Sequence, residues 1–307
     1  MVQITAALVK ELRDKSGAGM MDCKKALSEN DGDIEISMDW LRQKGIAKAE
    51  KKSGRVAAEG LVAIASNGKV GIAVEVNSET DFVARNDLFQ SLVNGVASVA
   101  LENGGDYTAT NEAFYPGTTN SVEAEITKSV GTIGENMNFR RSVGLSVSNG
   151  VVSTYIHNAV APGLGKLAVL VALESDADTT KLEALGKQLA MHVAASNPQA
   201  MTIAEMSNES IEREKAILIE QARESGKPEN IIEKMIVGRM NKFYQEVVFT
   251  EQTFVIDGET KIKKVIENAA KEVSTDIKLI GYCRLEVGDG IAREEDDFAA
   301  EVAAMNS

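Results

Sequence analysis

The chain has 307 residues, 44% of them hydrophobic and 5% aromatic, so it is long enough for about two domains with aliphatic cores. Its 33 basic and 46 acidic side chains give a formal net charge of −13, and such a field repels the phosphates of nucleic acids. Direct nucleic-acid binding is therefore not expected. The most basic segment, residues 44–55, is interpreted as a solvated helix end and linker.

No segment has the composition of a membrane anchor. No apolar run approaches the roughly 20 residues that cross a bilayer. The first residues also lack the basic start and apolar stretch of a signal peptide. We therefore expect a cytoplasmic protein that does not contact a membrane.

The residues that most often carry enzyme chemistry are few and scattered. Cys23 and Cys283 are the only cysteines, and their separation favours reduced structural thiols over a disulfide or a zinc site. His157 and His192 are the only histidines and outline no metal site, and His192 has the context of a structural residue. Residues 163–166 lack the glycine and hydroxyl positions of a phosphate loop and predict a turn. No catalytic residue, cofactor or metal is predicted.

The first fifty or so residues have the pattern of three short helices. Thr5 can cap a helix that contains Leu12, and Gly17 can end it in the left-handed conformation. A second helix is predicted over residues 21–28, and a third begins after Asp33. Three such helices form one small core.

The middle of the chain contains an internal repeat with a spacing of 97 positions, which relates Val70 to Leu167. Each copy has a β-branched run, an earlier strand candidate and a later helix with apolar residues three or four positions apart. The first copy comprises strands 60–65 and 70–76 and a helix with apolar residues at 88–97; the second comprises strands 151–156 and 167–173 and a helix with apolar residues at 185–194. The repeat predicts two related α+β halves.

The last third of the chain changes pattern twice. Residues 207–248 predict two long helices joined at residues 225–228, most simply an antiparallel hairpin. Residues 253–256 and 277–287 then predict strands that complete the second half. Residues 296–305 predict a final amphipathic helix.

Phe82 is an isolated aromatic residue in the polar segment 77–86, directly after the strand at 70–76. The helical pattern that follows predicts that Phe82 lies in the first helical turn, near the surface. Two interpretations are open: Phe82 packs on its own domain, or it is a wedge for a partner. Thr179 occupies the equivalent position of the second copy, which favours a special role for Phe82 over a repeated core position.

This polar segment resembles the Thr-Asp-Phe-Val motif of bacterial elongation factor Ts, the guanine-nucleotide exchange factor of elongation factor Tu. Further stretches that resemble the family, in the family's order, lie at residues 10–13, 17–27, 133–141, 191–196, 225–228, 238–240 and 297–305. The resemblance spans nearly the whole chain. Residues 104–123 contain no motif of the family.

The resemblance implies an α+β architecture with five parts. These are a three-helix ubiquitin-associated-like module (1–54), a first core half (55–145), a second core half (146–206 and 249–287), an inserted antiparallel helical hairpin or coiled coil (207–248), and a C-terminal helical module (288–307). It also implies a factor in translation elongation that binds elongation factor Tu and promotes GDP release.

The resemblance also assigns residues to partner binding. Phe82 would insert between apolar side chains of the partner's G domain, and Asp81 would disturb the magnesium and phosphate site. The assigned residues are Thr80, Asp81, Phe82 and Val83 for exchange, and Leu12, Met20, Met21 and His157 for other contacts. Packing within its own module is the alternative for at least one of the two methionines, and a role outside the interface is the alternative for His157. A passive adaptor and a metabolic enzyme remain as other classes of protein.

Overall fold

The computed structural model describes residues 4–224 and 228–292, which form a mixed α and β fold with two antiparallel sheets. The helices are α1 (Ala6–Ser16), α2 (Met20–Glu29), α3 (Ile34–Lys52), α4 (Asp87–Glu102), α5 (Tyr107–Glu112), α6 (Val122–Ile133), α7 (Thr179–Ser196), α8 (Asn208–Arg223), α9 (Glu229–Val247) and α10 (Ile262–Val273). The strands are β1 (Glu59–Ser66), β2 (Val70–Ser78), β3 (Met137–Ser146), β4 (Gly150–His157), β5 (Leu164–Gly165), β6 (Leu167–Glu174) and β7 (Lys278–Glu286). Short 3₁₀ helices lie at Val83–Arg85, Ile203–Glu205 and Phe249–Glu251.

The three predicted N-terminal helices are confirmed, with their caps. The Thr5 hydroxyl accepts a hydrogen bond from the Leu8 amide at 3.2 Å, and Gly17 ends α1 with φ 69°. Such caps satisfy backbone groups that the helix leaves without a partner. Helices α1, α2 and α3 enclose a small core around Leu12 and Leu27.

Residues 44–55, interpreted from the sequence as a helix end and linker, are helical as far as Lys52. Helix α3 runs to Lys52 and packs along α6, where a Cβ added to Gly131 would lie 3.0 Å from the Cα of Gly45. The Lys52 ammonium donates a hydrogen bond to the carbonyl of Gly134, just after α6. The last N-terminal helix therefore rests on the core, and residues 53–55 of this segment lie beyond the helix.

The two sheets lie face to face, and helices cover their outer faces. The strand order is β3-β2-β1-β5 in the first sheet and β4-β6-β7 in the second. Strand β6 is buried on both faces: Leu170 packs between the sheets, whereas Val169 and Val171 pack with α7 and α10. The same division occurs in β2, where Ala73 faces the second sheet and Ile72 faces α4. Burial on both faces explains the continuous apolar runs of these two strands.

The predicted internal repeat is present and extends further than the sequence showed. Each half contains a hairpin, a covering helix, a second helix and a third strand that pairs with the second strand of the hairpin. Both halves carry a β-bulge, at Glu75/Val76 and at Ala172/Leu173, again 97 positions apart. The first residue of α10, Ile262, follows the first residue of α6 by 140 positions, because α8 and α9 intervene in the second half.

Helices α8 and α9 are the predicted helical pair. They pack against each other through a separate apolar cluster that contains Ala222, Ile232, Ile236 and Met240. Part of the predicted connection, residues 225–227, lies outside the described residues. No helix in the described part of the chain is long and apolar enough to cross a membrane.

Two predictions of strands had different outcomes. The strand predicted at 277–287 is confirmed as β7, but the one at 253–256 was wrong. There Thr253 forms only an isolated bridge with Lys261, and the Asp257 carboxylate accepts two backbone amide hydrogen bonds that close a turn. Strand β3 and helix α6 were not predicted, and the helix predicted at 296–305 lies outside the described residues.

Candidate partner-binding site

Phe82 lies in a turn between the end of β2 and a short 3₁₀ helix, Val83–Arg85. The prediction that it occupies the first turn of the following helix was wrong, because α4 begins only at Asp87. Asn86 separates the two helices: its backbone is extended, and its side chain caps α4 by accepting the Leu88 amide at 2.8 Å. The turn therefore projects Phe82 ahead of the helix.

The turn has an exposed tip and a buried base. The Phe82 side chain is 77% exposed, and Asp81 beside it is also exposed. The next two residues, Val83 and Ala84, are buried in the apolar core under α4. Exposing a Phe to water forgoes about 1.5–3 kcal/mol of burial free energy, so the fold does not favour this arrangement by itself.

A carboxylate holds the backbone of the turn. Glu135 accepts hydrogen bonds from the Thr80 amide at 2.9 Å and from the Thr80 hydroxyl at 2.6 Å. The Ser78 hydroxyl donates to the Thr80 carbonyl at 3.0 Å. The Thr80 side chain thus makes its hydrogen bond within the molecule, and Asp81 and Phe82 form the tip.

A second set of contacts connects the turn to the end of α3. The Glu79 carboxylate accepts the Asn136 amide at 2.5 Å and pairs with Arg55 at 3.3 Å. Asn136 is almost completely buried, and its side-chain amide donates to the Arg55 carbonyl at 2.7 Å. Residues between α6 and β3 and the segment after α3 therefore both restrict the turn. Glu79, Glu135 and Asn136 were not predicted as site residues, although they lie in segments 77–86 and 133–141, on which the family resemblance rests.

The other predicted site residues lie on three other elements. Met20 and Met21 begin α2 and are exposed, whereas Leu12 of α1 is buried in the core of the N-terminal helices. His157 ends β4 and is exposed, with its Nδ1 atom 3.1 Å from the Tyr155 hydroxyl. The Leu12 side chain presents no surface in this structure.

His192 has the structural role predicted for it. It is buried, and the Val255 amide donates to its Nδ1 at 3.2 Å, so the proton resides on Nε2, which lies 2.9 Å from the Gln252 Oε1. Burial lowers the pKa of His192, and the hydrogen bond with Gln252 opposes this shift only partly. The ring is held in its neutral form.

The remaining chemically notable residues are also part of the framework. Cys23 and Cys283 are buried free thiols, as predicted, and burial raises the pKa of Cys283 to about 12. Lys166, the last residue of the segment 163–166 that lacks the phosphate-loop pattern, pairs with Glu59 at 3.0 Å. Gly163 lies in a turn with φ 75°, but the two residues after it form β5, so the turn predicted over residues 163–166 was only partly right. Across residues 4–224 and 228–292, no group of three His, Cys, Asp or Glu side chains is arranged to hold a metal ion.

Aromatic side chains such as the exposed Phe82 are enriched in surfaces that contact other proteins. The family model of Elongation factor TS matches residues 79–289, which include this turn. Elongation factor Ts of Rhodospirillum rubrum is 59% identical over 306 residues, 99% of both chains. The proteins of the same name from Rhodospirillum centenum and Rhizobium meliloti are 56% and 57% identical, over 99% and 98% of both chains.

The chain belongs to the elongation factor Ts family, which places it among the elongation factors of protein biosynthesis. The resemblance inferred from the sequence is thereby confirmed.

Proposed function

We propose that this protein is a guanine-nucleotide exchange factor that binds elongation factor Tu and promotes release of GDP during translation elongation. Membership of the elongation factor Ts family supports the partner and the reaction. The observation that carries the proposal is Phe82, exposed at the tip of a turn whose base is buried and hydrogen-bonded. The protein acts by binding and is not itself an enzyme.

Exchange by this route is a linkage effect. A nucleotide held with a nanomolar dissociation constant is bound by about 12 kcal/mol, so its spontaneous release is slow. A protein that binds the nucleotide-free partner more tightly than the nucleotide-bound partner lowers the partner's affinity for nucleotide by the same ratio. In this proposal Phe82 enters between apolar side chains of the G domain, and its burial there supplies part of the required binding free energy.

Asp81 supplies the electrostatic part of the proposal. Its exposed carboxylate stands next to Phe82 and enters the G domain with it. A negative charge near the partner's magnesium site disturbs the groups that hold the ion and the adjacent phosphate. Without the charge compensation of the metal, the partner binds the nucleotide less tightly.

Other residues hold the complex together. Met20 and Met21 offer exposed, adaptable thioether side chains at the start of α2. His157 offers an exposed ring at the end of β4. Leu12 and Val83 contribute through their buried packing, Leu12 by shaping α1 and α2 and Val83 by anchoring the turn.

We further propose that the five parts inferred from the sequence are the functional units. Support comes from the end of α3 at Lys52 and the start of β1 at Glu59, and from the place of α8 and α9 between the equivalent helices α7 and α10. The factor works in the cytoplasm, with no direct contact with nucleic acid or membrane, consistent with its net charge of −13.

The test is release of labelled GDP from elongation factor Tu with Phe82→Ala. At saturating factor we expect the release rate to fall by at least about tenfold, because the wedge in this proposal stabilises the state in which GDP leaves more than it stabilises the complex that precedes it. Affinity for nucleotide-free partner should fall much less. Phe114→Ala is the matched control, since Phe114 is 74% exposed on the same half of the core. Equal release rates for Phe82→Ala and Phe114→Ala at saturation would reject the wedge.

A further inference from the structure

The turn that carries Phe82 contacts a carboxylate from a distant part of the chain. Glu135 uses one oxygen for the Thr80 amide and the other for the Thr80 hydroxyl, at 2.9 and 2.6 Å. Hydrogen bonds to an ionised carboxylate are roughly twice as strong as neutral ones. Thr80 stands two residues before Phe82, so this contact restrains the backbone close to the exposed ring.

Glu135 is itself held in place. Helix α6 ends at Ile133, the left-handed backbone of Gly134, φ 95°, then redirects the chain, and β3 begins at Met137. Between them the buried Asn136 donates to Glu79 and to the carbonyl of Arg55. The carboxylate therefore extends from a segment that is fixed at both ends.

The second half of the core lacks this arrangement. Ser175, 97 positions after Ser78, donates to the main-chain carbonyl of Asp276 at 2.6 Å. Asp276 lies just before β7, as Glu135 lies just before β3, and its contact with Ser175 is through the backbone. At the position equivalent to the exposed Phe82, the second half has Thr179, the first residue of α7.

We propose that Glu135 is a positioning residue that fixes the direction of Phe82 before the partner binds. The proposal rests on the exchange function proposed above. An aromatic side chain on a loose loop loses conformational entropy when it enters the partner, and a prior restraint removes part of that cost. Glu135 therefore accelerates nucleotide release through Thr80, without having to contact the partner.

The first measurement needs only the isolated protein. Hydrogen exchange at the Thr80 amide, followed by NMR, should be about tenfold or more faster in Glu135→Ala than in the wild type, since one charge-assisted hydrogen bond is lost. Glu135→Gln keeps one acceptor oxygen and should show a smaller increase. Glu174→Ala is the matched control, because Glu174 accepts the Ser148 hydroxyl and amide in the second half. Unchanged protection of Thr80 in Glu135→Ala would overturn the proposal.

The second measurement is GDP release at saturating factor, with a thermal melt to establish that each variant is folded. We expect release to fall about tenfold in Glu135→Ala, less in Glu135→Gln and not at all in Glu174→Ala. Adding Phe82→Ala to Glu135→Ala should cause no loss beyond that of Phe82→Ala alone, because both act through the same ring. An additive loss would overturn the proposal.

The two proposals fail in different ways. Normal release by Glu135→Ala, together with impaired release by Phe82→Ala, would overturn the positioning role and leave the exchange element standing. Normal release by Phe82→Ala would overturn the exchange element, and the positioning role with it. If Glu135→Ala does not fold, Glu135→Gln provides the same comparison, and normal Thr80 protection and release in that variant would overturn the positioning role.

Discussion

The two halves of the core follow the same path but differ where the second strand leads into the covering helix. In the second half Asp178 caps α7 directly, accepting the Lys181 amide at 3.2 Å, and Thr179 is the first helical residue. In the first half the equivalent residues form a turn and a 3₁₀ helix, and α4 starts later, at Asp87. The same path of the chain thus leads to a regular helix start in one half and to an exposed Phe82 in the other.

A second difference shows how the halves keep their packing. In the first half the Tyr115 ring lies over Gly95, and a Cβ on Gly95 would stand 2.2 Å from the Tyr115 hydroxyl oxygen. The position 97 residues later is His192, whose ring lies 6.1 Å from that of Phe254. An aromatic side chain fits against glycine in one half, and an imidazole occupies the corresponding helix position in the other. Close packing is preserved although the chemistry differs.

A third difference lies at the shared β-bulge. Glu75 of β2 is completely buried, whereas the equivalent residue of β6 is Ala172. The Glu75 carboxylate accepts hydrogen bonds from Arg140 at 3.2 Å, from Arg141 at 2.5 Å and from the Gly288 amide at 2.8 Å. Gly288 follows β7, so this carboxylate connects the two halves.

The largest effect is expected when this connection is removed. Glu75→Ala should lower the free energy of unfolding by about 3 to 5 kcal/mol, because the arginines and the Gly288 amide lose a buried charged partner. Urea denaturation followed by circular dichroism measures the change. Glu267→Ala is the control, since Glu267 pairs with Lys264 on the surface and should have little effect. A change in Glu75→Ala no larger than in the control would show that the buried Glu75 carboxylate does not stabilise the connection between the halves.

A smaller effect is expected from pH, and it should originate in the second half. The pKa of His192 is lowered in the folded state, so the unfolded chain binds a proton more readily. This contribution to stability is complete above the unfolded pKa of about 6.5 and is lost as pH falls towards the folded pKa, by at most about 1.4 kcal/mol per pH unit.

Comparing urea denaturation of the wild type and His192→Gln between pH 7.5 and 5 isolates this contribution. His157→Gln is the control for general effects of removing an imidazole. The His192→Gln variant should lose less stability on acidification than the wild type. Parallel pH profiles for the two proteins would exclude His192 as the source.

The smallest effect is expected from a single charge in the turn. Raising Mg²⁺ should slow the nucleotide release that the wild type promotes. If the Asp81 carboxylate is coupled to the metal, this slowing should be about two- to fivefold smaller in Asp81→Asn. Asn keeps the size of the side chain and removes its charge. Asp178→Asn is the matched control from the second half. Release rates are measured at constant ionic strength. Identical magnesium dependence in wild type and Asp81→Asn would leave only the steric wedge.

The sequence by itself determined the elements whose signals are local. The caps Thr5 and Gly17 bounded α1, and the apolar runs of β2 and β6 identified the central strands of the two sheets. The spacing of 97 positions identified the two halves and singled out Phe82 as present in only one of them. The caps and strands follow from backbone hydrogen bonding and side-chain burial within a few neighbouring residues, and the repeat is visible because each copy carries the same local pattern.

Only the tertiary structure decided the features that depend on distant contacts. The arginines of β3 obscured its alternation and belong there because Glu75 pairs with them. The apolar residues at 253–256 form a turn, although they have the composition of a strand. The restraint on Phe82 joins Thr80 to Glu135, 55 positions away, and no local pattern predicts which carboxylate reaches which amide. Such contacts form because folding brings α6 and β3 beside β2, and their geometry exists only in the folded chain.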